Sequence, residues 1–389
     1  MELLRIILRS GFLAIFLLLV PACAQNTAHL QAVPAHAGPR ENGLVAVERY
    51  DYGAALKHWR RLAEQGDARA QYNLGVMYDN GLGVQQDYAK AAKWYHIATE
   101  QGVIRAQHNL GHLYESGRGV PQDYAEALKR YRKAAEKGYA AAQLNLGFMY
   151  ASDQGVLQDH AEAAKWYRKA ADQGFAYAQN NLGHIYQKGE GVPQDHAEAV
   201  KWYRKAAEQG HANAQSNLGF IYASGQGVPQ DYAEAVTWYR KAAEQGHAKA
   251  QNNLGHMHES GQGVPQDDAE AVTWFRKAAE QDFAPAQYNL GVMYADGAGV
   301  PQDDAKAVTW FRKAAELGYA PAQYSLGSMY GLGKGVPQDF VQALMWFNIV
   351  AAPGDEEAKQ GQDKAAGFMT PDQIAEAERM AREWMAKHQ

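Results

Sequence analysis

The dipeptide Leu-Gly returns every 36 residues. It stands at Leu74-Gly75, Leu110-Gly111, Leu146-Gly147, Leu182-Gly183, Leu218-Gly219, Leu254-Gly255, Leu290-Gly291 and Leu326-Gly327, with no slip in the spacing. A fixed period of this size marks stacked units that bury their apolar faces on one another, not a single globular core. The 389 residues would suffice for two or three ordinary domains, but the unbroken period argues for one array. Arrays of this kind present long surfaces to other proteins. The net charge is −5 and the two signs are well mixed. With no basic patch, nucleic acid is not an expected partner.

One unit stands for all. Ala70, Leu74, Gly75 and Tyr78 share one face of a first helix. Glycine inside a helix costs roughly 1 kcal/mol relative to alanine. Its return at every Leu-Gly implies that a second helix crosses there and leaves no room for a β-carbon. The run Gly81-Leu82-Gly83-Val84 ends the first helix, and most later units add a proline after the valine. The second helix opens on Asp87, Asp123, Asp159, Asp195, Asp231, Asp267, Asp303 or Asp339. Glu126, Glu162, Glu198, Glu234 and Glu270 follow three residues on, which predicts reciprocal capping boxes. Trp94, Trp166, Trp202, Trp238, Trp274, Trp310 and Trp346 recur on the second helix and are expected to pack between helices, with Arg130 once in their place. Glycine ends most second helices, and Asp282 is the exception. Asp153 replaces the first loop glycine of the third unit and Leu157 its proline; aspartate tolerates the left-handed conformation, so the turn is expected to survive.

The pattern Ala-x-x-x-Leu-Gly-x-x-Tyr-x-x-Gly-x-Gly-Val, then Asp-x-x-x-Ala, Trp-Tyr and Lys-Ala-Ala, resembles the Sel-one-like repeat family, a relative of the tetratricopeptide repeats. The resemblance spans residues 44–354, as eight full units preceded by a partial one. It implies an all-α fold: a right-handed α/α superhelical solenoid of helix-turn-helix repeats whose first helices line a concave groove. It also implies adaptor or scaffold roles, in bacteria often at the envelope.

Both ends leave the period. Arg5 and Arg9 precede an apolar run from Phe12 to Val20, which reads as a secretory signal over residues 1–24. Ala22-Cys23-Ala24 fits cleavage to a soluble chain, periplasmic or secreted. Val20-Pro21-Ala22-Cys23 resembles a lipoprotein signal that would anchor the chain to the outer membrane through Cys23. Proline before the small residue is unusual in that pattern, which favours soluble export. Cys23 is the single cysteine, so no intramolecular disulfide can form. Residues 25–43 read as a flexible linker. Residues 355–389 read as a helical cap: Thr370-Pro371-Asp372-Gln373 starts a helix, and Ile374, Ala377, Met380, Ala381 and Trp384 form its apolar stripe.

Function belongs at positions that the period does not explain. Asn73, Asn109, Asn145, Asn181, Asn217, Asn253 and Asn289 stand just before Leu-Gly. Asparagine is a poor helix former. By resemblance to tetratricopeptide superhelices this column faces the groove, where it would bond the main chain of an extended peptide. The competing reading is a bridge to the neighbouring unit. A bridge is also expected of the invariant Gln71 column. The neighbouring positions vary, as specificity positions should. They include Tyr72, His108, Tyr288 and Tyr324 on one side of Leu-Gly, and His112, Phe148, His184, Phe220 and His256 on the other. Aromatic and imidazole groups are adaptable peptide contacts.

His108 and His112 have ligand spacing on one helix, but nothing completes a metal site, so neither metal nor cofactor is expected. Motifs of serine hydrolases, zinc proteases and nucleotide-binding loops are absent from the sequence. The expected function is therefore an exported, non-enzymatic and monomeric scaffold that binds a protein or peptide. The alternative is an envelope protein acting on peptidoglycan or β-lactams, as described for cysteine-rich relatives. Those relatives carry paired cysteines through their repeats, and this chain does not.

Overall fold

The computed structural model describes residues 46–47, 50–351 and 356–388. The expected export signal, Cys23 and the expected linker over 25–43 lie outside them. The described residues form nineteen helices and no strand. None of these helices is long and apolar enough to cross a membrane. The first helices of the repeats are α2 (Ala68–Asn80), α4 (Ile104–Ser116), α6 (Ala140–Ser152), α8 (Ala176–Lys188), α10 (Ala212–Ser224), α12 (Ala248–Ser260), α14 (Ala284–Asp296) and α16 (Ala320–Leu332). The second helices are α1 (Tyr52–Glu64), α3 (Tyr88–Glu100), α5 (Tyr124–Glu136), α7 (His160–Asp172), α9 (His196–Glu208), α11 (Tyr232–Glu244), α13 (Asp268–Ala279), α15 (Asp304–Glu316) and α17 (Phe340–Val350). Two further helices follow, α18 (Glu356–Ala366) and α19 (Pro371–His388).

The chain forms two compact units. The first runs to Ala178 and includes Glu190–Val192; the second comprises Gln179–Gly189 and everything from Pro193 onward. Within the first unit α2, α4 and α6 each pack on the second helix that precedes them and the one that follows. In the second unit α10, α12, α14 and α16 do the same. These are stacked helical hairpins, an α/α solenoid.

The Leu-Gly glycine has the expected reason. A β-carbon on Gly75 would lie 2.6 Å from the Tyr95 ring, and one on Gly255 2.6 Å from Phe275. The aromatic ring of the second helix fills the space that the missing side chain leaves. Each aromatic stands twenty residues after its glycine, so one hairpin closes on itself at that point.

The loop glycines do two jobs. Gly81, Gly117, Gly225, Gly261, Gly297 and Gly333 end their first helices in the left-handed conformation. Asp153 does the same at φ 56°, and Asp282 takes φ 57° in the turn after α13. The second loop glycine reaches the preceding repeat instead. A β-carbon on Gly119 would meet the Tyr88 carbonyl carbon at 2.3 Å, and one on Gly299 the Asp268 oxygen at 2.2 Å. Backbone there touches backbone, and no side chain fits between.

Asp123, Asp231 and their equivalents cap the second helices: each carboxylate accepts from the amide three residues on, at 2.9–3.0 Å. Each cap is worth ~1 kcal/mol. The reciprocal half of the predicted capping box does not form. The cap amide donates to a carbonyl of the first helix instead, Asp159 to Tyr150 and Asp267 to His258, both at 2.9 Å. The glutamate is left to accept from the indole of the tryptophan four residues later, in Glu162–Trp166, Glu198–Trp202, Glu234–Trp238 and Glu270–Trp274 at 2.8–2.9 Å. Where Arg130 replaces tryptophan, Glu126 pairs with its guanidinium. A reciprocal box does form at α19, where Thr370 and Gln373 exchange bonds at 2.9 and 3.3 Å.

At the C-terminus α19 lies on α17, the last second helix. Trp384 meets Trp346 edge-on with centroids 5.7 Å apart, and Ala377 and Ala381 are buried. Gly361 on α18 sits against Phe347, a β-carbon's 2.9 Å away, where earlier repeats place the asparagine before Leu-Gly.

Candidate interaction surface

The invariant glutamines are bridges between neighbouring repeats. Gln71 donates to the Ala63 carbonyl at the end of the preceding second helix, at 3.2 Å, and accepts from Gln101 thirty residues on, at 2.6 Å. Gln143, Gln215 and Gln251 repeat both bonds. Where the distant partner is Lys137 or Leu317, the buried Oε1 of Gln107 or Gln287 has no hydrogen-bond partner. Arginines tie neighbours as well: Arg60 to the Tyr78 hydroxyl, Arg132 to Tyr150, Arg276 to Tyr294, and Arg204 to Tyr222, always eighteen residues apart.

The asparagine column is also engaged within the array. In the first unit Asn73 is buried. Asn109 donates to the Tyr95 hydroxyl at 3.1 Å. Asn145 meets His108 Nε2 at 3.2 Å and bonds the Tyr131 hydroxyl. In the second unit Asn181 accepts from Asn180, and Asn217 donates to Asn180 at 3.2 Å. Asn253 bonds the Tyr239 hydroxyl. Asn289 donates to Asn252 at 2.9 Å and meets His256 Nε2 at 3.0 Å. Apart from the contact between Asn180 and Asn181, these partners stand 14, 33 or 37 residues earlier, so Asn109, Asn145, Asn217, Asn253 and Asn289 reach back to the previous repeat.

The tyrosines and the histidine of the variable column before the asparagines pack on rings of the second helices and of the turns that follow them. Tyr72 lies against Tyr95, and His108 lies between Tyr131 and Tyr139 with centroids 5.5 and 5.2 Å away. Tyr288 lies against Phe311 and Tyr319, and Tyr324 on Phe347. The column after Leu-Gly reaches further out. His112, Phe148 and His184 are half-buried, Phe220 is 42% exposed, and His256 is exposed.

A set of half-buried carboxyls accompanies these columns. Asp79 accepts from the Tyr95 hydroxyl at 2.9 Å and Glu115 from Tyr131 at 2.6 Å. Burial pushes both carboxyls above their ordinary range, and the tyrosine bonds pull partly back. Burial also lowers His112. Glu259, the equivalent of Glu115, has Phe275 sixteen residues on, where Glu115 has Tyr131; it bonds His256 Nδ1 at 2.9 Å. These acids were detectable in the sequence as an acid or amide sixteen residues before a tyrosine, as in Asp79–Tyr95, Glu115–Tyr131 and Gln187–Tyr203. Among the described residues no three His, Cys, Asp or Glu side chains gather where a metal ion could be held.

The Sel1 repeat profile matches nine consecutive segments that together run from residue 37 to 352, the first of them 37–67. A solved structure from uropathogenic Escherichia coli, described as a protective antigen displaying an SLR fold, is 32% identical. That match covers 94% of this chain and 94% of the other, at a TM-score of 0.50. A Sel1 repeat protein from Oxalobacter formigenes is 34% identical over 67% of this chain and 96% of its own, at a TM-score of 0.55. A search of curated proteins gives no match. Nine matching segments, helical hairpins in register and two similar Sel1-type structures place the chain in the Sel1 repeat family.

Proposed function

We propose that this protein is an exported, non-enzymatic scaffold that binds a protein or peptide along its first helices. The Sel1 repeat solenoid is in general a non-catalytic scaffold typical of protein–protein interaction. The observation that carries the proposal is the column after Leu-Gly. In the second unit it presents Phe220 and then His256 on consecutive first helices, and Phe220 leaves 42% of its surface in solvent. A phenylalanine so placed contributes little to the hairpin and much to a partner that covers it. Asn109, Asn217 and Asn289 already donate inside the array, so the partner is held chiefly by the outer column. Main-chain bonding by an asparagine requires exchange of an internal bond. The apolar run and small residues of positions 1–24 support export, to the periplasm or beyond it.

A photo-crosslinking residue at position 220, expressed in the native host, should trap a discrete partner, while the same residue at exposed Leu157 should not. Equal trapping from both positions, or none from 220, removes the interaction reading. The intact mass of the protein recovered from the envelope fraction should correspond to a chain beginning at Gln25; a mass for lipidated Cys23 assigns the anchored form instead.

A further inference from the structure

The residue ahead of each first helix is apolar or aromatic at Val103, Tyr139, Phe283 and Tyr319, and none of these caps its helix with a side chain. Two consecutive repeats of the second unit differ. His211 Nδ1 accepts from the Ala214 amide at 3.3 Å, and His247 Nδ1 accepts from the Ala250 amide at 3.1 Å. An amide can only donate, so Nδ1 must be the bare nitrogen of each ring. The proton then sits on Nε2, and that of His247 is directed at Asn213 Oδ1, 2.8 Å away. Asn213 lies two residues beyond His211, so the second cap is bonded to the helix that the first cap opens.

We propose that His211 and His247 are acid-released helix caps: neutral imidazole fastens α10 and α12, and protonation unfastens them. An imidazolium carries a proton on Nδ1 and cannot accept from the amide. It also places a cation at a helix N-terminus, where the helix dipole is itself positive. The ionisable groups acting on the rings add to the effect. His247 acts on His211 and Lys249 acts on His247, and each lowers the ring that it acts on. Burial is the main cause that lowers both rings, His211 to about 4. The folded state therefore binds these protons less readily than the unfolded state does. The caps' contribution is complete above the ordinary histidine range, about pH 6.5, and for His211 is lost as pH falls from there toward 4. This inference does not depend on what the protein binds.

Hydrogen exchange read by mass spectrometry on the full chain tests it, with rates corrected for the intrinsic effect of pH. From pH 7 to pH 5, opening of the first turn of α10 should become about 20-fold more favourable. The first turn of α14, which follows Phe283, should not change with it. A His211→Asn, His247→Asn variant keeps two capping side chains that do not titrate, and should hold α10 and α12 unchanged within about two-fold. His211→Asp with His247→Asp is the second variant, because Asp67 already caps α2 from the equivalent position through the Arg69 and Ala70 amides. The proposal is overturned if α10 and α14 loosen alike, if either variant keeps the wild-type response, or if nitrogen-15 spectra at pH 7 place the imidazole protons on Nδ1.

Discussion

The repeats of the first unit and the late repeats of the second fill the same notch with different rings. Tyr95 and Tyr131 lie over Gly75 and Gly111; Phe275 and Phe311 lie over Gly255 and Gly291. All four rings are buried. Only the tyrosines carry a hydroxyl, which receives the next repeat's asparagine and donates to a half-buried acid. Without it, Glu259 turns to His256, which is exposed, and Asn289 bonds both His256 and the buried Asn252. Ring volume therefore builds the hairpin, while the hydroxyl decides whether the acid is tied inward to the ring or bonded to an exposed histidine.

The largest expected effect tests what the regions share. Gly111→Ala and Gly255→Ala should each destabilise by about 1–3 kcal/mol through overpacking, partly offset by a gain of roughly 1 kcal/mol in helix propensity. Urea denaturation of both variants checks it; a loss in one region alone would mean that ring volume is not the common element. Exchanging the hydroxyl should have a smaller effect. Tyr131→Phe leaves Glu115 without its tyrosine donor and Asn145 with only His108, and should cost about 1–3 kcal/mol, whereas Phe275→Tyr should change stability by less than about 1 kcal/mol. Equal and negligible changes would remove the distinction between the regions.

The smallest effect depends on pH. Glu115 has its folded carboxyl raised by burial, so the folded state binds that proton more readily and its penalty grows as pH rises above the ordinary carboxylate range. Glu115→Gln keeps an acceptor for Tyr131 and removes the half-buried charge. Thermal melts should show it stabilising at pH 7 and neutral near pH 4. A gain that persists at pH 4 would assign the effect to something other than ionisation.

The hairpin was legible in the sequence because its rules are local or periodic. The missing β-carbon of Leu-Gly, the aspartate caps and the left-handed Asp153 all follow from spacing and elementary sterics. The glutamate of the expected capping box was misread because its competitor lies nine residues back on another helix. The Tyr150 carbonyl reaches the Asp159 amide first, and that pairing needs the hairpin to be closed. The asparagine column left two readings open for the same reason. Its partners, such as Tyr95 for Asn109 or Asn252 for Asn289, stand 14 and 37 residues away and become neighbours only after stacking. The ring exchange at Phe275 was visible in the sequence, but its effect on Glu259 and His256 required both helices in place.

The backbone contact of the second loop glycine has a consequence for length. Gly263, Gly299 and Gly335 each rest on the start of a second helix in the preceding hairpin, at Tyr232, Asp268 and Asp304. The interval is the same each time. Removing one whole period between two such glycines rejoins each loop to an equivalent seat, whereas removing one residue more or fewer misplaces every later contact by about a third of a helical turn. A gene of this design can grow or shrink by unequal recombination in steps of one period while each seam stays intact. Its reach is thus open to selection separately from its stability.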